Sequence, residues 1–188
     1  VGAVSNGRVE CAGTGITTAA LVMSGNSSPQ ALVEVYNGTT WTAAGALTTT
    51  AHKTCTSAGT STAALAVGGY IGGPYDAGVL VEEYNGTSWT ANPAMNTGKT
   101  SAGGAGTSTS AMTFGGGPPS LPLLTESYNG TSWTEVADLA TGATLGGGVG
   151  ANNTAALFFG GNVGPPTDVT TTQEWDGAPA SVKTVTTS

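Results

Sequence analysis

Apolar residues in this chain come in short runs of strand length. "TAALAV" at Thr62–Val67 and "AALFF" at Ala155–Phe159 are the longest, and glycine follows each. Helix formers are scarce, and Thr, Val, Gly and Tyr are abundant, which favours strands and turns. The second quarter of the chain shows the order most clearly. His52–Ala58 predicts a strand A, Gly59–Ser61 a turn, and Thr62–Val67 a strand B ended by Gly68-Gly69. Tyr70–Gly78 predicts a Gly/Pro loop and Val79–Tyr84 a strand C. Asn85-Gly86 predicts a two-residue type I′ hairpin turn, since that turn needs positive φ at both positions. Thr87–Ala91 predicts a strand D carrying Trp89.

This pattern recurs. "VYNGTTWT" at Val35–Thr42 and "EYNGTSWT" at Glu83–Thr90 match "SYNGTSWT" at Ser127–Thr134, and "EWDGAPAS" at Glu174–Ser181 is a worn copy. Aligned on Tyr36, Tyr84, Tyr128 and Trp175, the spacings are 48, 44 and 47 residues. The second aromatic is Trp41, Trp89 and Trp133, with Ala180 in the fourth place. Strand B ends in Ser24-Gly25, Gly68-Gly69, Gly115-Gly116 and Gly160-Gly161. A third anchor is "AGTG" from Ala12, "AGTS" from Ala58 and from Ala105, and the looser "VGAN" from Val149. Three anchors in one order at one period define four units, near 1–46, 47–94, 95–138 and 139–188, in one domain spanning 1–188.

Four short strands per unit, a period of about 46 residues and a Gly pair after strand B predict an all-β propeller with four four-stranded blades. An apolar strand, Gly-Gly, a variable loop, Tyr and then Trp is similar to the kelch repeat. The wording Glu-x-Tyr-Asn-Gly-Thr-Ser-Trp-Thr resembles kelch-like repeats of environmental phage virion proteins and bacterial surface proteins. The resemblance implies a virion or extracellular surface location. Kelch propellers usually have five to seven blades, so the array is expected either to close as a four-blade ring or to be a segment of a longer array. A third arrangement has blades of several chains associating.

Composition narrows the function classes. Only 15 residues are charged, 4 basic and 11 acidic, for a net charge of −7. Without a basic footprint, nucleic acid is not an expected partner, and neither is an anionic membrane surface. No run is long enough for a transmembrane helix. The chain opens on Val1 rather than Met, which reads as a processed chain or a segment, so the lack of a signal peptide says little about location.

The candidate side chains divide between scaffold and site. The Tyr–Trp pairs and Trp175 read as wedges between blades rather than sugar platforms, because they recur once per blade in a chain short of other bulky groups. Glu34, Glu82 and Glu126 precede the tyrosines. Arg8, Lys53 and Lys99 share one location in the strand A region, a few residues before the Ala-Gly-Thr anchor, which predicts one ion pair per blade. The fourth unit has Gln173 and no cation over 143–145, so both charges are lost together. Asn37, Asn85 and Asn129 head Asn-Gly-Thr glycosylation triplets, although turn chemistry already explains the Asn-Gly. His52 is the only histidine and reads as a surface or strand-end residue. A lone histidine cannot build a zinc or copper site, and no phosphate loop or calcium loop is present, so no cofactor is expected. Cys11 and Cys55 fall in successive A strands, as a possible disulfide or as two buried thiols.

The segments that do not repeat are the B–C loops. Tyr70, Tyr75, Pro119, Leu121, Pro165 and Pro166 would form an apolar, partly aromatic patch there. The sequence therefore predicts a non-enzymatic structural and interaction module of a virion or surface fibre. Its expected partners are subunits of the same assembly, as a homo-oligomer or filament, or a surface glycan. A carbohydrate-active or oxidase-like enzyme on the same scaffold, and an intracellular kelch-type adaptor, are the competing expectations.

Overall fold

The structure is a computed structural model, and it describes residues 2–26, 30–50, 52–70, 77–117, 123–164, 167–177 and 182–185. Sixteen strands form four antiparallel sheets, each from four consecutive strands. Blade 1 holds β1 (Ala12–Ile16), β2 (Ala19–Met23), β3 (Val33–Tyr36) and β4 (Trp41–Ala43). Blade 2 holds β5 (Thr56–Gly59), β6 (Ala64–Val67), β7 (Val81–Tyr84) and β8 (Trp89–Asn92). Blade 3 holds β9 (Gly103–Thr107), β10 (Ser110–Phe114), β11 (Thr125–Tyr128) and β12 (Trp133–Glu135). Blade 4 holds β13 (Gly147–Asn152), β14 (Ala155–Phe159), β15 (Thr172–Trp175) and β16 (Val182–Val185). The first strands of all four sheets line one axial space. The chain is thus an all-β, four-bladed propeller.

Strand B explains why the apolar runs are continuous rather than alternating. Its odd and even positions are buried against different neighbours. In β6, Ala64 and Ala66 join a cluster with Leu21, Met23 and Val33 of blade 1, while Leu65 and Val67 join Ala111, Tyr128 and Trp133 of blade 3. In β10, Ala111 faces blade 2, and Met112 and Phe114 join Ala156, Phe158 and Trp175 of blade 4. The aromatic pairs fill these seams. Tyr84 and Trp89 are opposite one another across β7 and β8, with ring centroids 5.1 Å apart, and both are buried against blade 1. Burying each such side chain contributes roughly 2–3 kcal/mol.

Register corrects three details of the sequence reading. The A–B turn falls a residue late: Gly59 ends β5 and Thr60 N–H donates to Ala63 O at 2.8 Å. The Asn-Gly hairpins are not type I′ turns. Tyr84 pairs with Trp89, so four residues intervene, and of Asn85 and Gly86 only the glycine has positive φ, at 93°. Asn85 instead accepts the Thr87 and Ser88 N–H groups on Oδ1, at 3.0 and 2.9 Å. The same Asx turn forms at Asn37 and Asn129, so the asparagine side chain supplies the turn. Finally, Trp175 lies opposite Val182 and not Ala180, so the fourth unit has two more residues between its paired positions than the others. Ala180 itself is outside the described residues.

Candidate functional site

Two faces of the disc differ in what they carry. The A–B turns and Asn-Gly hairpins share one face. The B–C loops and the links between blades share the other, where Lys53 bridges Tyr70 and Tyr70 bridges Ala77. Here each link enters its blade through a residue in the left-handed region: Glu10, Thr54, Ser101 and Leu145, with φ of 59°, 57°, 53° and 61°. Their backbones form a chain around the axis. Thr54 N–H donates to Glu10 O, Ser101 N–H to Thr54 O and Leu145 N–H to Ser101 O, at 3.1, 2.9 and 2.8 Å. These residues and the next one along, Cys11, Cys55, Ala102 and Gly146, surround a cavity of about 180 Å³ at the mouth of the axis. Among the described residues, Glu10 is the only charged group lining it.

Beside that mouth, each blade clamps its incoming link with one strand-C side chain. Glu82 accepts Thr48 N–H on Oε2 at 2.7 Å, and Thr49 N–H and Oγ1–H on Oε1 at 3.0 Å each. Glu126 accepts Asn96 N–H at 2.8 Å and Thr97 N–H at 3.0 Å. Glu34 accepts Ser5 N–H at 2.8 Å and the Arg8 guanidinium. Gln173 does the same with a neutral amide, accepting Ala140 N–H at 2.6 Å and Thr141 N–H at 3.2 Å, and its Nε2 returns a bond to Thr141 O at 2.8 Å. All four side chains are buried.

The cations do not follow the expected one-per-blade pairing. Arg8 pairs with Glu34. In blade 2 the partner is His52, whose Nε2 is 3.1 Å from Glu82. Lys53 instead reaches Glu10 at 3.5 Å and lies 5.9 Å from the centre of the Tyr70 ring. Lys99 hydrogen-bonds Leu124 O at 2.6 Å and Gly115 O at 3.3 Å, and no carboxylate among the described residues is in ion-pair range. The physical reason is position. Arg8, His52 and Lys99 each stand 16 residues before the first residue of their own Ser-Gly or Gly-Gly pair, whose carbonyl they hydrogen-bond. Lys53 is one residue out of that register. The offset to the Gly pair is the feature of the sequence that separates His52 from Lys53.

His52 is therefore not a surface residue; it is wholly buried. Its Nδ1 faces Gly68 O at 2.7 Å and its Nε2 faces a carboxylate. A carbonyl and a carboxylate are both acceptors, so the ring is held between two acceptor oxygens. Burial pushes the Glu82 carboxyl up, but the bonds from His52 and Thr48 prevail and hold it at about 2. Glu34 is likewise held below the usual range: its bonds to Ser5 and Arg8 outweigh burial. Burial brings the Lys99 amine down to about 8, against the pull of Glu126. The described acid–base groups of highest interest are thus spent on the scaffold, and Ala143, buried two residues before Leu145 as Lys99 is two before Ser101, accompanies the neutral Gln173.

Of the predicted loop patch, Tyr70 is half-buried against Lys53. Tyr75, Pro119, Leu121, Pro165 and Pro166 lie outside the described residues. Leu123 and Val163, at the borders of the loops, are exposed. The blade 4 loop is braced by Asn162, which donates to Asp168 at 2.9 Å and accepts Gly164 N–H at 2.7 Å. Cys11 and Cys55 occupy the same position in adjacent blades, one exposed and one buried, and both are free thiols. Burial raises the Cys55 thiol to about 12. Among the described residues, no three His, Cys, Asp or Glu side chains come together as metal ligands would. No helix there is long and apolar enough to cross a membrane. No protein-family model matches the chain, and no curated protein matches it in sequence.

Proposed function

We propose that this propeller is a non-enzymatic structural and interaction module of a virion or extracellular surface fibre, built from kelch-type repeats. It holds a partner subunit or a surface glycan through its B–C loops. One observation carries this reading: the repeated carboxylates and their cations are consumed in clamping the links, beside loops that alone do not repeat. A rigid frame of equal blades carrying unequal loops on one face is a scaffold for recognition.

The test compares the chain with a variant whose four B–C loops are each replaced by Gly-Ser-Gly. A glycan array and titration with neighbouring subunits of the native particle should show binding to the parent and loss of binding in the variant. Binding that survives loop replacement sinks the reading. So does a stoichiometric metal accompanied by turnover of a carbohydrate or an alcohol.

A further inference from the structure

Among the described residues, the three seams inside the chain are filled and the seam between blade 4 and blade 1 is not. A buried apolar cluster joins blade 1 to blade 2, blade 2 to blade 3, and blade 3 to blade 4. Among the described residues no such cluster joins blade 4 to blade 1, and the backbone bonds between left-handed residues stop at Leu145.

Equivalent positions make the difference quantitative. The last residue of strand B points at the next blade in each unit. Met23, Val67 and Phe114 are 0%, 3% and 1% exposed, whereas Phe159 is 41% exposed. On strand A, Ala58 and Ala105 are each 4% exposed, whereas their counterpart Val149 is 52% exposed. Val149, Leu157 and Glu174 lie side by side across β13, β14 and β15, on the floor of a groove of about 360 Å³ whose described lining residues all belong to blade 4. Blade 1 shows the complementary half. Ala20 and Val22 are partly exposed, where Ala64 and Ala66, Ala111 and Thr113, and Ala156 and Phe158 are buried. Trp41 is partly exposed, where Trp89 and Trp133 are buried.

We propose that blade 4 of one copy docks against blade 1 of a second copy, remaking between chains the seam that the chain makes three times within itself. This deepens the interaction reading above by naming the partner subunit, and it rests on that reading. The occupant follows from the register. Three faces equivalent to that of Leu157 and Phe159 are each covered by a face equivalent to that of Val22 and Trp41, and every copy carries one of each unfilled. Such a contact is head-to-tail, so it closes into a ring of copies or continues as a filament.

Light scattering coupled to size exclusion tests this on the full chain. The parent should self-associate with rising concentration. Phe159→Asp spoils only the blade 4 face and Val22→Asp only the blade 1 face, so each alone should run as a monomer. Mixed one to one, the two should give twice the monomer mass, because each still carries the face the other needs. Ala20→Arg replaces Val22→Asp if the latter loses its β-sheet circular dichroism. A parent that stays monomeric at millimolar concentration overturns the proposal. So does a mixture that stays monomeric while the parent associates. Loop binding measured on the monomeric Phe159→Asp variant keeps the two readings separate: a variant that still binds glycan leaves the loop function standing whatever the fate of the seam.

Discussion

Blades 2 and 4 solve the same problem with opposite electrostatics. Each must satisfy two N–H groups of the link that enters it with one buried strand-C side chain. Blade 2 uses a carboxylate, Glu82, with the His52 ring beside it. Blade 4 uses the amide of Gln173, needs no cation, and has Ala143 in the cation's place. The common element is an oxygen aimed at the link. Charge is an option: blades 1 and 2 pair it with a cation, and blade 3 meets it with N–H donors.

The largest effect comes from removing the oxygen in the charged version. Glu82→Ala leaves Thr48 N–H and Thr49 N–H unpaired and strands the buried His52 ring without its Nε2 partner. Breaking a buried pair this way costs about 3–5 kcal/mol. Urea unfolding followed by tryptophan fluorescence should show the loss as a lowered midpoint. A loss under about 1 kcal/mol would mean that water or the link itself replaces the carboxylate, and the clamp would not matter to the fold.

The next experiment puts blade 2's chemistry into blade 4. Gln173→Glu keeps both accepted bonds but turns the Nε2 donor into an oxygen facing Thr141 O, with no cation at Ala143. At neutral pH this should cost about 2–4 kcal/mol. The sign of its pH dependence is the sharper readout. A carboxyl in that place is raised above its unfolded value, so the variant's deficit relative to the parent should appear as pH rises above about 4.5. Below that range the protonated acid can donate to Thr141 O and the deficit should shrink.

The native chain should run the other way. Glu82 is held at about 2 in the folded protein, below the roughly 4.3 of an unfolded glutamate. Its contribution is therefore complete above about pH 4.5 and is lost as pH falls toward 2. Glu34, shifted in the same direction, adds to it. The acid arm of the stability profile should fall by about 2–3 kcal/mol from Glu82 alone. A Glu82→Gln, His52→Ala double variant, which copies blade 4, should flatten that arm. An unchanged arm would place the acid sensitivity elsewhere.

The contrast also explains how much was legible in the sequence. The blades were, because a four-strand unit must spend its few large side chains on seams, and Tyr36, Trp89, Phe114 and their counterparts recur at one spacing. Gln173 with a missing cation was legible as a joint loss for the same reason. His52 was not, since a basic residue beside it at Lys53 matches the expected chemistry while its side chain points elsewhere. Only the distance to the Gly pair separates them, and that distance matters because the cation's acceptor is the carbonyl ending strand B. The open seam was invisible too. The residues of blade 4 that face outward, Leu157 and Phe159, are as apolar as those of blades 1 to 3, so composition alone reads them as core.

The smallest predicted effect concerns the hairpins, where blades 1 to 3 carry Asn-Gly and blade 4 carries Asp176-Gly177. Asn85→Ala removes an acceptor for two exposed N–H groups that water can also satisfy, so the cost should be only about 0.5–1.5 kcal/mol. Gly86→Ala should cost at least as much through strain. Its φ is 93°, and a Cβ there would lie 3.2 Å from Thr62 O. Asn85→Asp copies blade 4, keeps the acceptor and should be nearly silent in the same urea titration. If Asn85→Asp were as harmful as Asn85→Ala, the asparagine's own NH₂ would be the group that matters. The repeated octapeptide would then hold more than a turn.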